Sequence, residues 1–480
     1  MPSGNIRKNY IYTLSFQIFS LLIPFITTPY VSRVLLPEGI GTYGYANSIA
    51  TYFSLVAALG ISSYGLREVS RCRDDRHASS KLFWELSVIR IVTTALCLLL
   101  YLGFIIVSGS DMRLYLACGM VILSVGVDSN WYFQAMEEFR TLMLRNFIVK
   151  GVTIACIFLF VRRQEDLMLY ILIQGGGTFL SNFVLRVQLL VRVERVPWRE
   201  LQFKRHIKDT LVYFIPTIAT SVYTVLDRTM IGAITHDMAQ NGYYEQAHKI
   251  ITMLMTVITS LNVVVGVRTS YLFGQDRNDE VRRHMHDTFR FMFTIAFPMA
   301  AGMIACANTF VPWFFGPGYE QVTPLLRMFT PLFFIIGISN VLGSLYLTPS
   351  GQRARSNRAI IAGAVCNFVL NMILIRFFGV YGAVVASVVA ETLISTLYLR
   401  YSADFVSIPH ILGLGLRYLL LSGVMFVPTY LIGRVLPPTV PTTLLQVAVG
   451  VAVYAVGLVV LRDPALDTVK QVVGKILKKS

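Results

Sequence analysis

Two arginines, Arg67 and Arg268, occupy equivalent positions of an internal repeat in this chain of 480 residues. Sliding the sequence by 201 residues places Arg67 on Arg268 and Gly41 on Gly242, and eight identical pairs fall within residues 41–67. Arginine presents a planar fork of donors that fits phosphate oxygens. Two guanidinium groups facing one cavity would suit a diphosphate, so we predict a paired clamp. The alternative is that both arginines are positively charged anchors at helix ends.

Polar side chains recur at helical spacing inside four apolar stretches. In one stretch six of them are spaced at i, i+3, i+4, i+7, i+10 and i+11, which places all six on one helix face. Polar groups in a membrane usually face a bundle interior or a water-filled cavity. The stripes are Thr217, Thr220, Ser221, Thr224, Asp227 and Arg228; Glu245, His248, Lys249, Thr252, Thr256 and Thr259; Thr13, Gln17, Ser20 and Thr27; and Tyr45, Ser48 and Tyr52.

We interpret the four stretches as the walls of one hydrated, cationic cavity. For the hydroxyl residues the alternative is helix packing, and for the charged residues it is mutual neutralisation without a functional role. Asp128 and Glu391 lie outside this wall, and we expect them to be protonated or bonded internally. The candidate substrate-binding residues are Arg67, Arg268, Arg228, Lys249, Asp227, Glu245, His248, Gln17 and Arg33.

Fourteen apolar stretches must position these residues, and we number them spans 1 to 14. Most are close to the ~20 residues that a helix needs to cross a bilayer. Their boundaries are roughly 11–32, 42–64, 83–107, 114–136, 146–161, 167–190, 210–234, 243–266, 288–310, 323–347, 359–376, 380–399, 412–433 and 441–461.

The basic residues are distributed unevenly between the connections. Of the 42 Lys and Arg, three lie deep within spans (Arg90, Arg228 and Lys249), seven lie in connections or span ends on one side, and the remaining 32 lie in those on the other side. Positive charge on short loops sets orientation, so both termini are predicted to face the cytoplasm. The seven outer residues are Arg33, Arg113, Arg162, Arg163, Arg327, Arg376 and Arg434.

The composition is that of a polytopic membrane protein. Mean hydropathy is +0.62, 55% of residues are hydrophobic and 14% are charged. The net charge of +16 falls on predicted cytoplasmic loops, where it meets anionic lipid, and does not indicate nucleic acid. The first span is too long for a cleavable signal peptide. The six cysteines lack disulfide or metal spacing.

Catalytic and nucleotide-binding motifs are absent from the sequence. The longest connections are some 20 residues, too short to bury a separate core. We therefore predict a transporter, not an enzyme, with no metal and no cofactor, driven by an ion gradient, the membrane potential or the substrate's own gradient.

The repeat predicts two lobes related by an axis along the membrane normal, an arrangement that suits a site between them. A second, weaker similarity between the two halves supports the repeat: Ser129-Asn130 recurs as Ser339-Asn340. The predicted domains are an N-lobe at 1–205 (spans 1–6), a C-lobe at 206–400 (spans 7–12) and spans 13–14 with a basic tail at 401–480. The charged stretch 192–209 is interpreted as a cytoplasmic linker.

Several segments resemble Wzx-type polysaccharide flippases. They are Asp128-Ser-Asn-Trp-Tyr-Phe-Gln-Ala-Met-Glu-Glu-Phe-Arg140 followed by Leu144-Arg-Asn146; Tyr346-Leu-Thr-Pro-Ser-Gly-Gln352 with Asn367, Asn371, Gly379, Gly382-Ala383 and Glu391; and Gly39-Ile-Gly-Thr-Tyr43. The resemblance runs over about residues 5–400.

The resemblance implies the multidrug/oligosaccharidyl-lipid/polysaccharide exporter superfamily, with two six-helix lobes around a central cavity. It also implies a bacterial protein that functions as a monomer in the cytoplasmic membrane. The substrate would be an undecaprenyl-diphosphate-linked oligosaccharide destined for exopolysaccharide, capsule or O-antigen, with a polymerase and glycosyltransferases as pathway partners. The related lipid II flippases carry arginines midway along helix 1, where this chain has Gln17 and Ser20.

Two other functions compete with this interpretation. A cation-coupled antiporter of the same superfamily would need a carboxylate deep in the N-lobe cavity. Between Thr13 and Ile61 the chain offers only Glu38, in a predicted outer loop. A membrane polysaccharide polymerase would need a large outer loop, and no connection here is long enough.

Overall fold

The computed structural model describes residues 6–109 and 111–464, apart from the side chains of residues 6–22, 215–224, 260–264 and 267. Within these ranges all the regular secondary structure is helical, as the sequence predicts. The chain divides into two compact units, Met1–Gly242 and Tyr243–Ser480. The three predicted domains stay a prediction.

The first unit contains the elements of spans 1 to 7. They are α1 (Ile6–Ala58), α2 (Ile61–Arg71), α3 (Arg76–Ser108), α4 (Met112–Cys118), α5 (Met120–Val127), α6 (Asn130–Ala135), α7 (Phe139–Phe160), α8 (Leu167–Leu190) and α9 (Lys204–Thr235).

Helix α10 (Met238–Phe273) begins in the first unit and continues in the second. The second unit then contains α11 (Asn278–Phe315), α12 (Val322–Phe329), α13 (Leu332–Leu342), a π-helical turn (Gly343–Leu347), α14 (Arg353–Phe378), α15 (Val380–Tyr401), α16 (Ile408–Val435) and α17 (Val440–Val460).

Eleven segments of the described chain are long and apolar enough to cross a bilayer, which agrees with a multi-pass membrane protein. The first of them, Ile23–Arg71, covers residues 23–32 of span 1 and all of span 2. Spans 7 and 8 correspond to α9 and α10, which are not among the eleven. The count of fourteen crossings is therefore not confirmed and stays a prediction.

One residue breaks α1 between spans 1 and 2. Leu36 has φ 57° and ψ 172°, outside the helical region. It precedes Pro37, whose ring disfavours the helical conformation in the residue before it. The predicted outer connection is therefore helical on both sides of a single non-helical residue.

Span 4 is divided into α4, α5 and α6, where the sequence predicts one helix. The second division falls at Asp128-Ser129. Asp128 Oδ1 accepts a hydrogen bond from the Asn130 backbone N–H at 3.0 Å, a local bond by which Asp competes with helix formation. Because the helix stops there, the Asp128 carbonyl oxygen is available to accept a 2.9 Å hydrogen bond from Arg90 Nη1 on α3.

An aromatic cluster holds α2, α3 and α6 together in the first unit. The Phe83 ring lies 6.3 Å from that of Trp131 and 5.7 Å from that of Tyr132. A Cβ on Gly65 would lie 2.5 Å from Trp131 Cε3, so α2 approaches the indole ring at a distance that only glycine permits.

In the second unit, α16 and α17 attach to α11 through buried polar contacts. Gln446 on α17 hydrogen-bonds Thr309 on α11 and donates to the Thr429 carbonyl on α16 at 2.8 Å. Trp313 Nε1 donates to Thr443 Oγ1 at 2.8 Å. Buried polar groups are stable when they are paired in this way, and spans 13 and 14 are therefore packed against span 9.

Candidate functional site

Arg67 lies near the end of α2 and is oriented by a tyrosine. Its Nη1 donates a hydrogen bond to the Tyr213 hydroxyl on α9, and its Nε lies 3.8 Å from Glu68 Oε1. The Arg67 side chain is 54% exposed. The guanidinium is thus held in one direction by a neutral oxygen while its exposed part can meet a ligand.

Next to Arg67, a buried chain of hydrogen bonds links α2, α9 and α3. The Tyr64 hydroxyl lies 2.8 Å from His206 Nδ1, and His206 Nε2 lies 2.8 Å from Glu85 Oε2. The rings of Tyr64 and Tyr213 are 6.0 Å apart. Tyr213 therefore joins the exposed arginine to this chain.

The Glu85 side chain is fully buried. Its carboxylate accepts hydrogen bonds from donors in α9 and in the stretch that precedes α9. Arg205 Nη2 donates to Oε2 at 2.8 Å, and the Gln202 backbone N–H donates to Oε1 at 2.7 Å. A buried carboxylate is tolerated only with such partners. The sequence interpretation of 192–209 as a linker missed this role, because Glu85 is distant in sequence from its partners.

Gly41 and Gly242, which are equivalent in the repeat, pack directly against each other's segments. A Cβ on Gly41 would lie 1.7 Å from the Met238 carbonyl oxygen and 2.7 Å from the Gly242 nitrogen. A Cβ on Gly242 would lie 2.0 Å from the Pro37 carbonyl oxygen. Asn241 Nδ2 donates to the Gly41 carbonyl at 3.0 Å. These are the ends of spans 2 and 8 that we predict to face outward.

Thr229 on α9 connects two residues of the predicted stripe in span 2. Its Oγ1 lies 2.8 Å from Ser48 Oγ and 3.0 Å from the Tyr52 hydroxyl. Asp227 and Arg228 are within electrostatic range of the same Tyr52 hydroxyl. The structure therefore brings the stripes of spans 2 and 7 together. The sequence interpretation missed Thr229, because this residue is not at one of the positions that define the stripe of span 7.

The candidates differ in exposure. Asp227 is buried, Arg228, Glu245, His248 and Lys249 are partly buried, and Arg33 and Arg268 are exposed. The His248 ring stacks on Tyr244 at 5.6 Å. Gln17 and the stripe residues Thr13, Ser20, Thr217, Thr220, Ser221 and Thr224 have side chains outside the described part of the chain. The role of every candidate stays a prediction.

Three buried arginines lie within the helices of the first unit. Arg90 Nη1 pairs with Asp128 Oδ2 at 2.8 Å, and its Nη2 donates to Ser62 Oγ at 2.8 Å. Arg186 Nη1 donates to Ser87 Oγ at 2.6 Å.

The third buried arginine, Arg145, has neutral hydrogen-bond acceptors. It donates to the Ser181 carbonyl at 2.8 Å and to Asn130 Oδ1 at 2.7 Å. Arg145 and Arg186 were counted with the inner connections from the sequence, whereas the structure places them inside α7 and α8. Proximity to a span boundary does not reveal this burial.

Over the described residues, no group of three or more His, Cys, Asp or Glu side chains is arranged to hold a metal ion.

A family model described as "Polysaccharide biosynthesis protein" matches residues 6–266, more than half of the chain. The chain belongs to this family. Over 403 residues it is 22% identical to a protein of Escherichia coli (strain K12) called a putative O-antigen transporter, covering 83% of this chain and 96% of that protein. Over 194 residues it is 21% identical to a probable low-salt glycan biosynthesis flippase of Haloferax volcanii, covering 40% and 41% of the two chains.

Solved structures show the same fold. The chain is similar to the lipid II flippase MurJ in an inward closed conformation, with TM-score 0.72, 16% identity and coverage of 95% of this chain and 99% of that one. It is also similar to an inward-facing multidrug transporter of the MATE family, with TM-score 0.58, 12% identity and coverage of 82% and 98%. The predicted membership of the exporter superfamily, and of its polysaccharide branch, is confirmed.

Proposed function

We propose that this family member is a flippase for an undecaprenyl-diphosphate-linked oligosaccharide. The observation that carries the proposal is the family match over residues 6–266, which includes the first copy of the repeat segment and all but the last two residues of the second. Two relatives of this chain are called an O-antigen transporter and a glycan biosynthesis flippase. Translocation of this substrate requires a charged headgroup to cross a hydrocarbon core of ~30 Å.

Arg67 and Arg268 are the proposed diphosphate clamp at the cytoplasmic entrance. The orientation of Arg67 by Tyr213 supports its part, because a guanidinium held in one direction loses less entropy on binding an oxyanion. Arg268 is exposed on α10. Arg228, Lys249, Asp227, Glu245, His248, Gln17 and Arg33 are the proposed residues of the adjoining cavity.

Alternating access is the proposed mechanism. The close approach of Gly41 to Met238 and Gly242 supports a closed contact at this point of the predicted outer side, because no solvent-sized gap remains between these backbones. The substrate would enter from the cytoplasm while this contact is closed, and the contact would part to release it outward.

The proposed setting is the bacterial cytoplasmic membrane, with both termini inside and the monomer as the functional unit. Substrate and membrane lipid are the proposed ligands, and a polymerase and glycosyltransferases the pathway partners. The protein would move its substrate without a chemical step and without a cofactor or metal.

A deletion strain tests the proposal. Loss of the gene should trap lipid-linked oligosaccharide in the inner leaflet and abolish surface polymer, and the wild-type gene should restore both. Arg67→Ala and Arg268→Ala should fail to restore export at normal protein levels. Arg67→Lys should restore only part, since lysine keeps the charge but loses the fork.

Two results would contradict the proposal. Normal polymer in the deletion strain, together with lost export of a drug or metabolite, would favour the antiporter. Wild-type export by both alanine variants would reduce the two arginines to topological anchors and move the site toward Arg228 and Lys249.

A further inference from the structure

A long groove runs between α7 and α8 on the surface of the first unit. Its volume is about 1020 Å³. Apolar side chains line most of it, and the polar residues Thr141, Arg145, Gln188 and Arg192 gather at the end where α7 begins and α8 ends. By the predicted topology this is the cytoplasmic end.

The groove is nearly as long as a bilayer core is thick. On α8 its lining extends from Leu172 to Val191, which corresponds to about 28 Å at the rise of an α-helix. A phospholipid chain reaches only the midplane of a ~30 Å hydrocarbon core. A groove that continues past the midplane therefore fits an isoprenoid chain longer than one leaflet.

The cytoplasmic end of the groove carries positive charge. Arg145 is 7% exposed, its hydrogen-bond acceptors are neutral, and its Nε is buried without a hydrogen bond within the described residues. A buried cation is costly unless an anion compensates it. Arg192, at the mouth, is paired with Glu138 at 2.6 Å.

We propose that this groove binds the isoprenoid chain of a polyprenyl diphosphate as the lipid is taken up from the membrane, with the diphosphate beside Arg145 and Arg192 before it reaches the clamp of Arg67 and Arg268. The inference rests on the proposed function and extends it by assigning the lipid part of the substrate to α7 and α8. The apolar lining accepts the chain, and the two guanidinium groups at the cytoplasmic end, Arg145 and Arg192, favour a phosphate headgroup.

Binding of undecaprenyl diphosphate to the purified full-length protein in detergent tests the groove. Ile148 lines the groove and is 66% exposed, so Ile148→Trp would fill it. Ile106 on α3 is equally exposed, at 69%, but lies outside the groove, so Ile106→Trp is the matched control. Because chain burial contributes along its whole length, we expect Ile148→Trp to weaken binding by about tenfold or more and Ile106→Trp to leave it unchanged.

A second comparison tests whether the groove selects the diphosphate headgroup. The wild type should prefer undecaprenyl diphosphate to undecaprenol, and the Arg145→Gln variant should show a smaller preference; an equal preference would remove Arg145 from headgroup binding. A photoreactive benzoylphenylalanine at Ile148, but not at Ile106, should cross-link to the diphosphate probe. The cross-linking experiment tests the groove even if the Ile148→Trp variant does not fold.

The outcomes separate the two proposals. If the wild type binds the probe and Ile148→Trp binds it equally well, the groove inference is wrong and the flippase proposal stands. If phosphatidylglycerol displaces the probe from the wild type at equal concentration, the groove is a general phospholipid site. If the wild type does not bind the probe at all, the proposed substrate class fails as well.

Discussion

Gly41 and Gly242, two residues related by the 201-residue repeat, meet backbone to backbone. The missing side chains are what permits this contact, since a Cβ on either would overlap a carbonyl oxygen of the opposite segment. Equivalent positions of two repeat copies thus form both sides of one seam. We expect the seam to be the part of the outer side that must open during transport.

Gly41→Ala should weaken the closed seam. Inserting a methyl group into a tight contact costs about 1–3 kcal/mol, which shifts the population toward conformations with the seam open. Ser48 is buried. A cysteine in its place should therefore react faster with a membrane-impermeant maleimide when Gly41 is replaced by Ala than when Gly41 is retained. Gly103→Ala is the control, because nothing lies within 4 Å of a Cβ there. Equal labelling in both variants would show that the seam does not gate access.

Tyr213→Phe should lower polymer export without loss of protein. It removes the hydroxyl that accepts the hydrogen bond from Arg67, and one such bond contributes about 1 kcal/mol, or roughly a fivefold change in rate. The remaining ring still packs near Tyr64. Tyr271→Phe, at an exposed tyrosine of α10, is the control. Export by Tyr213→Phe at the control rate would remove Tyr213 from the positioning of Arg67.

Breaking the Arg90–Asp128 pair should strongly destabilise the protein. Arg90→Met leaves Asp128 without its guanidinium partner, and such a loss typically costs about 3–5 kcal/mol. Adding Asp128→Asn should recover part of that, since position 128 then no longer carries a charge that has lost its Arg90 partner. Thermal unfolding in detergent measures both. Arg73→Met, in an exposed pair with Glu137, should change stability by about 0–1 kcal/mol. A double variant less stable than either single variant would contradict this account.

Cys72, between α2 and α3, should react slowly with maleimides at neutral pH. Burial, and then the nearby Asp75 carboxylate, raise the pKa of the Cys72 thiol, so less of the reactive thiolate is present at a given pH. The comparison is a variant in which Cys72 is removed and a cysteine replaces the exposed Arg73. The labelling rate of Cys72 should rise more steeply above pH 8 than the rate of that cysteine. Asp75→Asn keeps a good helix N-cap while removing the charge, and should speed labelling. An unchanged rate in that variant would assign the slow reaction to steric access alone.

Much of the architecture could be predicted from hydropathy and charge. Apolar length located the helices, and the 201-residue repeat identified Gly41 and Gly242 as equivalent before their contact was known. Pro37 disfavours the helical conformation at Leu36, but Pro24 and Pro29 lie in α1 without such a break, so the sequence does not single out this position.

The polar interior of the first unit could not be predicted in the same way. Arg145 and Arg186 lie near span boundaries, where a basic residue is equally consistent with a solvated loop and a buried helix turn. Glu85 and His206 are separated by over a hundred residues, and only the fold brings them together. Thr229 is not at a stripe position of span 7, so helical periodicity alone does not identify it.

The division of span 4 affects how the chain enters the bilayer. Helices α4, α5 and α6 contain seven, eight and six residues, and only together, as Met112–Ala135, do they reach the ~20 residues that a membrane crossing needs. Their shared segment also carries Asp128, whose charge opposes partitioning into lipid. The preceding α3 is long and apolar, and its Arg90 neutralises that carboxylate. We therefore expect α3 to α6 to enter the bilayer best as a hairpin, and the loss of Arg90 to lower the yield of correctly inserted protein as well as its stability.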